Sequence, residues 1–210
     1  KKYIQEAFDS NWIAPLGPNV TKFEKELAQY TNSKGASLTS SGTAAIHLAL
    51  ACLGVGKGDS VFCSSFTFIA SANPALYLGA ELTFIDSEPN SWNMSPQALE
   101  RALCDASLEN RLPKAIIVVN LYGQSADMEK LLEIADLFGV PIIEDAAESL
   151  GAEYKHKKSG TFGKIGIYSF NGNKIITTSG GGALVSDDEE MLSKASFLAT
   201  QAKDVAPYYQ

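Results

Sequence analysis

Apolar positions along this chain recur with two spacings in alternation. Short apolar or β-branched runs are separated by stretches whose apolar residues return every third or fourth position. Ala115 to Val119 is the plainest run, and its lack of a polar face predicts a strand buried on both sides. Ala36–Thr39, Ser60–Cys63, Glu81–Ile85, Val140–Glu144, Ile165–Ser169 and Gly182–Ser186 read as further strands. The helical spacing predicts helices over Thr21–Tyr30, Thr43–Leu53, Thr67–Leu78, Ser95–Cys104, Ser125–Phe138 and Asp187–Gln201. Thr21 and Glu24 have the spacing of a capping box, with Phe23 and Leu27 on the apolar face. Thr43–Leu53 is almost wholly apolar, so that helix should be buried. Pro74 interrupts its helix, Pro96 suits a first helical position, and Gly139 closes the helix before it.

Strand and helix alternate in this way when a mainly parallel sheet carries helices on both faces. Ligands of such sheets lie beyond the carboxyl ends of the strands. That directs attention to residues 39–43, 63–68, 120–124, 145–149 and 169–174. No internal repeat, linker or low-complexity tract divides the chain.

Composition narrows the function classes. The 210 residues are 45% hydrophobic and 20% charged, which suits a globular domain rather than a disordered one. The formal net charge of −7 argues against a nucleic-acid binder and against adsorption to an anionic membrane. No apolar run has the length of a membrane span. Cys52, Cys63 and Cys104 are odd in number and sit among apolar residues, as buried free thiols in a reducing, cytoplasmic compartment would. The sequence opens without Met and stops after an uncapped helical pattern, which reads as part of a longer polypeptide.

Candidate chemistry gathers at the strand ends. Ser40-Ser41-Gly42-Thr43-Ala44 lies between a strand and a buried helix, where small residues leave backbone amides open to an anion. Ordinary N-capping by Ser41 explains the same residues. Gly54 to Asp59 is no nucleotide loop, because no Ser or Thr follows Lys57 and the segment precedes a strand; a helix end and turn account for it. Asp145 ends an apolar strand and could hold a cationic ring nitrogen or cap the next helix. Lys174, at the end of Ser169-Phe170-Asn171-Gly172-Asn173-Lys174, is a surface charge or a Schiff-base nucleophile. Gly180 to Gly182 would allow close backbone approach or shape a turn. Phe68 is a core residue or a plate for a planar ring.

Taken together, an anion seat, an aromatic plate, a carboxylate and a lysine occur in this order at strand ends. In that combination the chain resembles the DegT/StrS group of fold-type I, pyridoxal-phosphate-dependent nucleotide-sugar aminotransferases. The matching segments are Gly17-Pro18 with Phe23-Glu24, then 40–50, 58–72, 143–152 and 168–182. The resemblance implies a three-layer α-β-α large domain with a mainly parallel mixed sheet, comprising 21–210 behind a substrate-side segment, 1–20. A smaller C-terminal domain would lie outside this chain. It implies that Lys174 binds pyridoxal 5'-phosphate covalently and that Asp145 pairs with the pyridine nitrogen. Gly42, Thr43, Ala44 and Ser169 would hold the phosphate, and Phe68 would stack on the ring. Glu148 would lie near the phenolic oxygen, where many members carry Gln or His.

The implied activity moves an amino group from glutamate to a nucleotide-linked keto-sugar such as a 4-keto-6-deoxy hexose, for surface glycans or glycoproteins. The implied assembly is a homodimer with shared active sites. The loop from Trp12 to Gly17 would contact substrate. The aromatic tail Val205–Gln210 would lie near the interface or a mobile loop. A sugar dehydratase of the same fold would carry His in place of Lys174, and a non-catalytic regulator would need neither Lys174 nor Asp145.

Overall fold

The computed structural model describes residues 1–14 and 16–202. A helix α1 (Lys2–Asp9) is followed by α2 (Pro18–Thr31), β1 (Gly35–Thr39), α3 (Gly42–Cys52) and β2 (Ser60–Ser64). Next come α4 (Asn73–Tyr77), β3 (Glu81–Ile85), α5 (Pro96–Leu108), β4 (Ala115–Val119), α6 (Met128–Leu137) and β5 (Ile142–Asp145). A small hairpin, β6 (Glu153–Tyr154) and β7 (Lys157–Lys158), precedes β8 (Ile165–Ser169), β9 (Gly182–Ser186) and α7 (Glu189–Ala199).

Seven strands form one sheet in the order β1-β9-β8-β5-β4-β2-β3. β8, β5, β4, β2 and β3 run parallel, and β9 is antiparallel to both its neighbours. The expected mainly parallel mixed sheet in an α/β arrangement is therefore present. Alternation along the strands divides the core into two faces. Val61, Cys63, Ile117, Ile143, Ile165, Ile167 and Leu184 pack with Ile46, Ala49 and Leu50 of α3 and Ala195 of α7. On the other face, Phe62, Ile116, Val118 and Ile142 pack with Leu99 and Leu103 of α5 and Met128 and Leu131 of α6. Leu27 of α2 covers the β8–β9 end of that second face with Tyr168, Phe170 and Val185.

Several boundaries move for local reasons. α2 begins at Pro18, whose fixed backbone suits a first turn, so Thr21 is not a cap. The Glu24 carboxylate instead accepts the Leu38 amide at 3.1 Å and pins α2 to β1. The expected helix over Thr67–Leu78 is a 3-10 turn, Ile69–Ser71, followed by the short α4 with Pro74 in its first turn. α6 starts at Met128, not Ser125, because the Ala126 amide donates to Asn120 Oδ1. Val140 is spent on closing that helix through Ala135 O, so β5 starts at Ile142. α7 starts at Glu189, with Asp188 Oδ1 capping the Met191 amide at 3.0 Å. α1, none of whose residues is buried, and the β6–β7 hairpin were not foreseen from the sequence. The segment Val205–Gln210 lies outside the described residues.

Candidate active site

β5 is flanked by β4 and β8, so its carboxyl end meets the loops that leave both neighbours. Its last two residues are acidic, and the strand sends them to opposite faces. Glu144 is fully buried on the α5–α6 face. Its Oε1 accepts Asn120 Nδ2 at 2.8 Å and the Gly160 amide at 2.6 Å, and its Oε2 accepts the Phe162 and Gly163 amides at 2.8 and 3.4 Å. Every contact is a donor, so the geometry is that of an ionised carboxylate. Burial pushes its pKa up, and these hydrogen bonds oppose the rise. Asn120 also donates to Ser159 Oγ at 2.7 Å, and Ser159 bonds Ser149 at 2.7 Å. One buried carboxylate thus ties the β4 loop and the stretch before β8 under the end of β5.

Asp145 lies on the α3 face and is 5% exposed. Its carboxylate has two donors: Ser71 Oγ to Oδ2 at 2.6 Å and the Ala147 amide to Oδ1 at 3.1 Å. A carboxylate offers about four acceptor positions, so half of its capacity is unused among the described residues. Burial raises its pKa; Ser71, Ala147 and the positive charge of Lys174 pull the other way, while Glu148 adds to the rise. The buried Cys63 thiol on the same face is pushed up to about 12, first by burial and then by the Asp145 charge.

Lys174 stands on the loop between β8 and β9, where its amide closes a turn onto Asn171 O at 3.0 Å. Its ammonium lies 3.3 Å from Glu148 Oε1, and its side chain is only 13% exposed. Glu148 Oε2 accepts the Tyr122 amide at 3.0 Å. Tyr122 holds a left-handed backbone with φ of 49°, uncommon for a bulky residue and a place where local strain is retained. The Tyr122 backbone therefore borders the lysine–glutamate pair, while its side chain is exposed.

The anion seat forms at the start of α3. A Cβ on Gly42 would lie 2.9 Å from Ser169 Cβ, so only glycine lets the helix start approach the end of β8 this closely. A Cβ on Gly182 would lie 2.3 Å from the Ser41 carbonyl carbon, which gives the glycine run its close-approach role. Ser41 Oγ accepts the Ala44 amide at 3.0 Å, so the cap reading of Ser41 holds and that amide is engaged. The Thr43 amide has no partner among the described residues. The Thr43 amide and the Ser169 hydroxyl are the donors at hand. Phe68, after β2, is 73% exposed and is not a core residue. Phe66 and Trp92 pair beside it with ring centroids 5.6 Å apart.

The structure therefore brings Asp145, Lys174 and Glu148 together and sets Gly42, Thr43, Ala44 and Ser169 at a neighbouring strand end. Ser71, Glu144 and Asn120 were missed in the sequence. A charge inside an apolar strand was the signal available for Glu144; Ser71 had none, because its partner is distant in sequence. Chemically, the set suits a planar, cationic heteroaromatic ligand with an anionic arm and a carbonyl open to an amine. Among the described residues, no helix is long and apolar enough to cross a membrane, and no His/Cys/Asp/Glu group could hold a metal ion.

Comparison with known proteins adds independent findings. The pattern of the DegT/DnrJ/EryC1/StrS aminotransferase family matches residues 1–209. EpsN of Bacillus subtilis (strain 168), named provisionally as a pyridoxal phosphate-dependent aminotransferase, is 64% identical over 99% of this chain and 54% of its own length. A GDP-perosamine synthase of Caulobacter vibrioides is 41% identical over 97% of this chain and 53% of its own. A crystal structure of a DegT DnrJ EryC1 StrS aminotransferase from Brucella abortus superposes with a TM-score of 0.93 at 35% identity, covering 99% of this chain and 56% of that one. The chain thus spans about half the length of the relatives it matches.

Proposed function

We propose, from the premise that this chain belongs to the DegT/DnrJ/EryC1/StrS aminotransferase family, that it forms the pyridoxal 5'-phosphate-binding part of a nucleotide-sugar aminotransferase. The observation that carries this reading is Asp145: a buried carboxylate with two donors where it could accept about four, on the same strand edge as Lys174. Burial disfavours the charge of this carboxylate, a cationic ring N–H beside it favours that charge, and the carboxylate stabilises the ring proton in return. The residues present fit the cofactor. Asp145 suits the pyridinium, Phe68 the ring face, and the Thr43 amide with the Ser169 hydroxyl the phosphate. The Lys174 amine suits the aldehyde. Bound pyridoxal phosphate supplies an electron sink for the amino-bearing carbon of the substrate.

The chain's own side chains do the rest. Lys174 Nζ must lose a proton before it can attack a carbonyl, and Glu148 Oε1 at 3.3 Å is placed to take it. Once free, the lysine amine is the base that moves a proton to and from the substrate carbon. Glu148 also borders the position assigned to the phenolic oxygen, held in place by the Tyr122 amide.

In this reading glutamate donates the amino group and a nucleotide-linked 4-keto-6-deoxy hexose accepts it, in surface-glycan biosynthesis in the cytoplasm. The GDP-perosamine synthase relative supports a nucleotide-sugar substrate. Residues 21–210 belong to the cofactor domain, 1–20 contribute to the substrate side, and a homodimer completes the site. Retention of Lys174 favours amino transfer over dehydration, and the open acceptor capacity of Asp145 favours catalysis over a purely regulatory role.

The test is a panel of nucleotide keto-sugars offered with glutamate to the full-length protein and read by mass spectrometry. Borohydride reduction should trap the cofactor on Lys174. Trapping on another lysine, or no amino-sugar product from any keto-sugar, overturns the reading.

A further inference from the structure

The roles above leave out the side chain that orients Asp145. Ser71 is 1% exposed, and its Oγ donates to Asp145 Oδ2 at 2.6 Å. With the Ser71 proton on Asp145, the 2.7 Å contact between Thr67 and Ser71 has Thr67 Oγ1 as donor and Ser71 Oγ as acceptor, and this contact is shorter than the 3.3 Å alternative from Thr67 Oγ1 to the Phe68 carbonyl, which competes for the same proton. Thr67 and Ser71 bracket Phe68 and reach one line of hydrogen bonds that ends on the carboxylate. The Ala147 amide holds the other oxygen at 3.1 Å. With one donor on each oxygen, the carboxylate plane is fixed and its remaining lone pairs are left for the cleft.

We propose that Ser71, backed by Thr67, is a positioning residue that holds Asp145 ionised and oriented and couples it to the segment carrying Phe68. The inference rests on the reading of Asp145 as partner of the ring nitrogen. The charged or titratable groups facing Asp145 are Cys63 from β2, Lys174 from the β8–β9 loop and Glu148 from its own loop. Glu144 points to the opposite face of the sheet. Lys174 alone among them favours the anion, and no ion pair with Asp145 forms among the described residues, so the Ser71 hydroxyl and the Ala147 amide carry most of that work.

A merely structural serine would satisfy its own hydroxyl and cost the same stability at every pH. A serine that holds an anion behaves differently. Removing it raises the pKa of Asp145 further. A buried acid with a raised pKa contributes stability at low pH and loses it as the pH climbs through the folded value. The deficit of Ser71→Ala should therefore widen with pH.

The experiment uses the full-length protein, first free of cofactor. Thermal unfolding of wild type, Ser71→Ala, Thr67→Val and Ser71→Thr is followed across about pH 4 to 9. Ser71→Ala should lose progressively more melting temperature toward alkaline pH, Thr67→Val less, and the pH dependence should vanish when Asp145→Asn is added. Pyridoxal phosphate affinity, read by fluorescence quenching, should then fall about tenfold in Ser71→Ala and be largely restored in Ser71→Thr, which keeps the hydroxyl. A pH-independent deficit in Ser71→Ala, or one that persists unchanged in the Asp145→Asn background, overturns the coupling. Failure of wild type to bind the cofactor while the pH-dependent deficit remains overturns the functional reading and leaves the coupling standing.

Discussion

Glu144 and Asp145 are neighbours on one strand, carry the same acidic group and are both buried, yet their surroundings differ in kind. Glu144 accepts hydrogen bonds from four donors, one on the β4 loop and three on the stretch before β8. Asp145 accepts from two and faces the open end of the sheet. Burial raises both pKa values, but only one carboxylate has unused acceptor positions. The count of donors, not the depth of burial, separates a carboxylate that holds a scaffold from one that is ready for a ligand. Strand alternation makes the division possible, because adjacent residues serve opposite faces of the same sheet.

The largest effect belongs to the open side. Lys174→Ala removes the amine that faces Glu148, so turnover should be lost and borohydride should trap no cofactor on the chain. Lys174→Arg should do no better, because a guanidinium stays protonated and is no nucleophile. Wild-type activity in either variant would remove Lys174 from the chemistry and leave the pair with Glu148 as a surface ion pair.

Asp145→Asn comes next. The fold should survive, because Asn can still accept the Ala147 amide while the Ser71 hydroxyl turns to accept from the new amide. Turnover should fall by about three powers of ten or more, each tenfold being about 1.4 kcal/mol of barrier. A loss within a few-fold, measured as kcat in the same keto-sugar assay, would make Asp145 a cap for the following turn and erase the contrast with Glu144.

The contrast was half legible in the sequence. The strands Glu81–Ile85, Ala115–Val119, Ile165–Ser169 and Gly182–Ser186 have the expected bounds; Ala115–Val119, buried throughout, writes itself as an unbroken apolar run, whereas Glu81–Ile85 at the sheet edge is largely exposed. Asp145 and Lys174 stood out for ending such strands or following them. Glu144 was read only as the end of a strand, since its four donors come from residues 120 to 163 and no local pattern announces them. Ser71 meets a carboxylate seventy-four positions away, and only the parallel pairing of β2, β4 and β5 brings the two together. α1 was missed for a different reason: none of its residues is buried, and its apolar Tyr3, Ile4 and Phe8 are exposed, with Tyr3 meeting the Lys22 side chain of α2 by cation–π contact and hydrogen bond, so it leaves no trace in a core-facing pattern.

On the closed side, Glu144→Gln should cost stability rather than chemistry. An amide offers one accepting end, so its NH2 must face either the Asn120 and Gly160 donors or the Phe162 and Gly163 donors. Each stranded buried donor costs about 1–3 kcal/mol, and relaxation of the loops recovers part of that, so a net loss of about 2–4 kcal/mol is expected. Chemical denaturation of the cofactor-free protein checks it. A variant as stable as wild type would show that four accepting positions are not needed at Glu144, which would undo the distinction drawn above.

The smallest effect is the most discriminating, because it carries a sign. Asp145 has its pKa raised in the folded protein, so its contribution to stability is present at low pH and is lost as the pH climbs through the folded value. Asn does not titrate. The difference in melting temperature between Asp145→Asn and wild type, both free of cofactor, should therefore turn in favour of the variant as the pH rises, by a few degrees at most. Glu144 titrates in both proteins and cancels from the difference. Cys63, pushed up to about 12, remains protonated through neutral pH in wild type, and in the variant it loses one of the two causes that raise it without approaching the acid range. Adding pyridoxal phosphate should reverse the order, since wild type gains a partner for its unused acceptor positions and the variant does not. Melting curves with and without cofactor over a pH series measure both halves. If Asp145→Asn is the less stable protein without cofactor at every pH, the wild-type carboxylate is not held at a cost, its two donors already suffice, and no cationic ligand is needed to explain why an acid sits there.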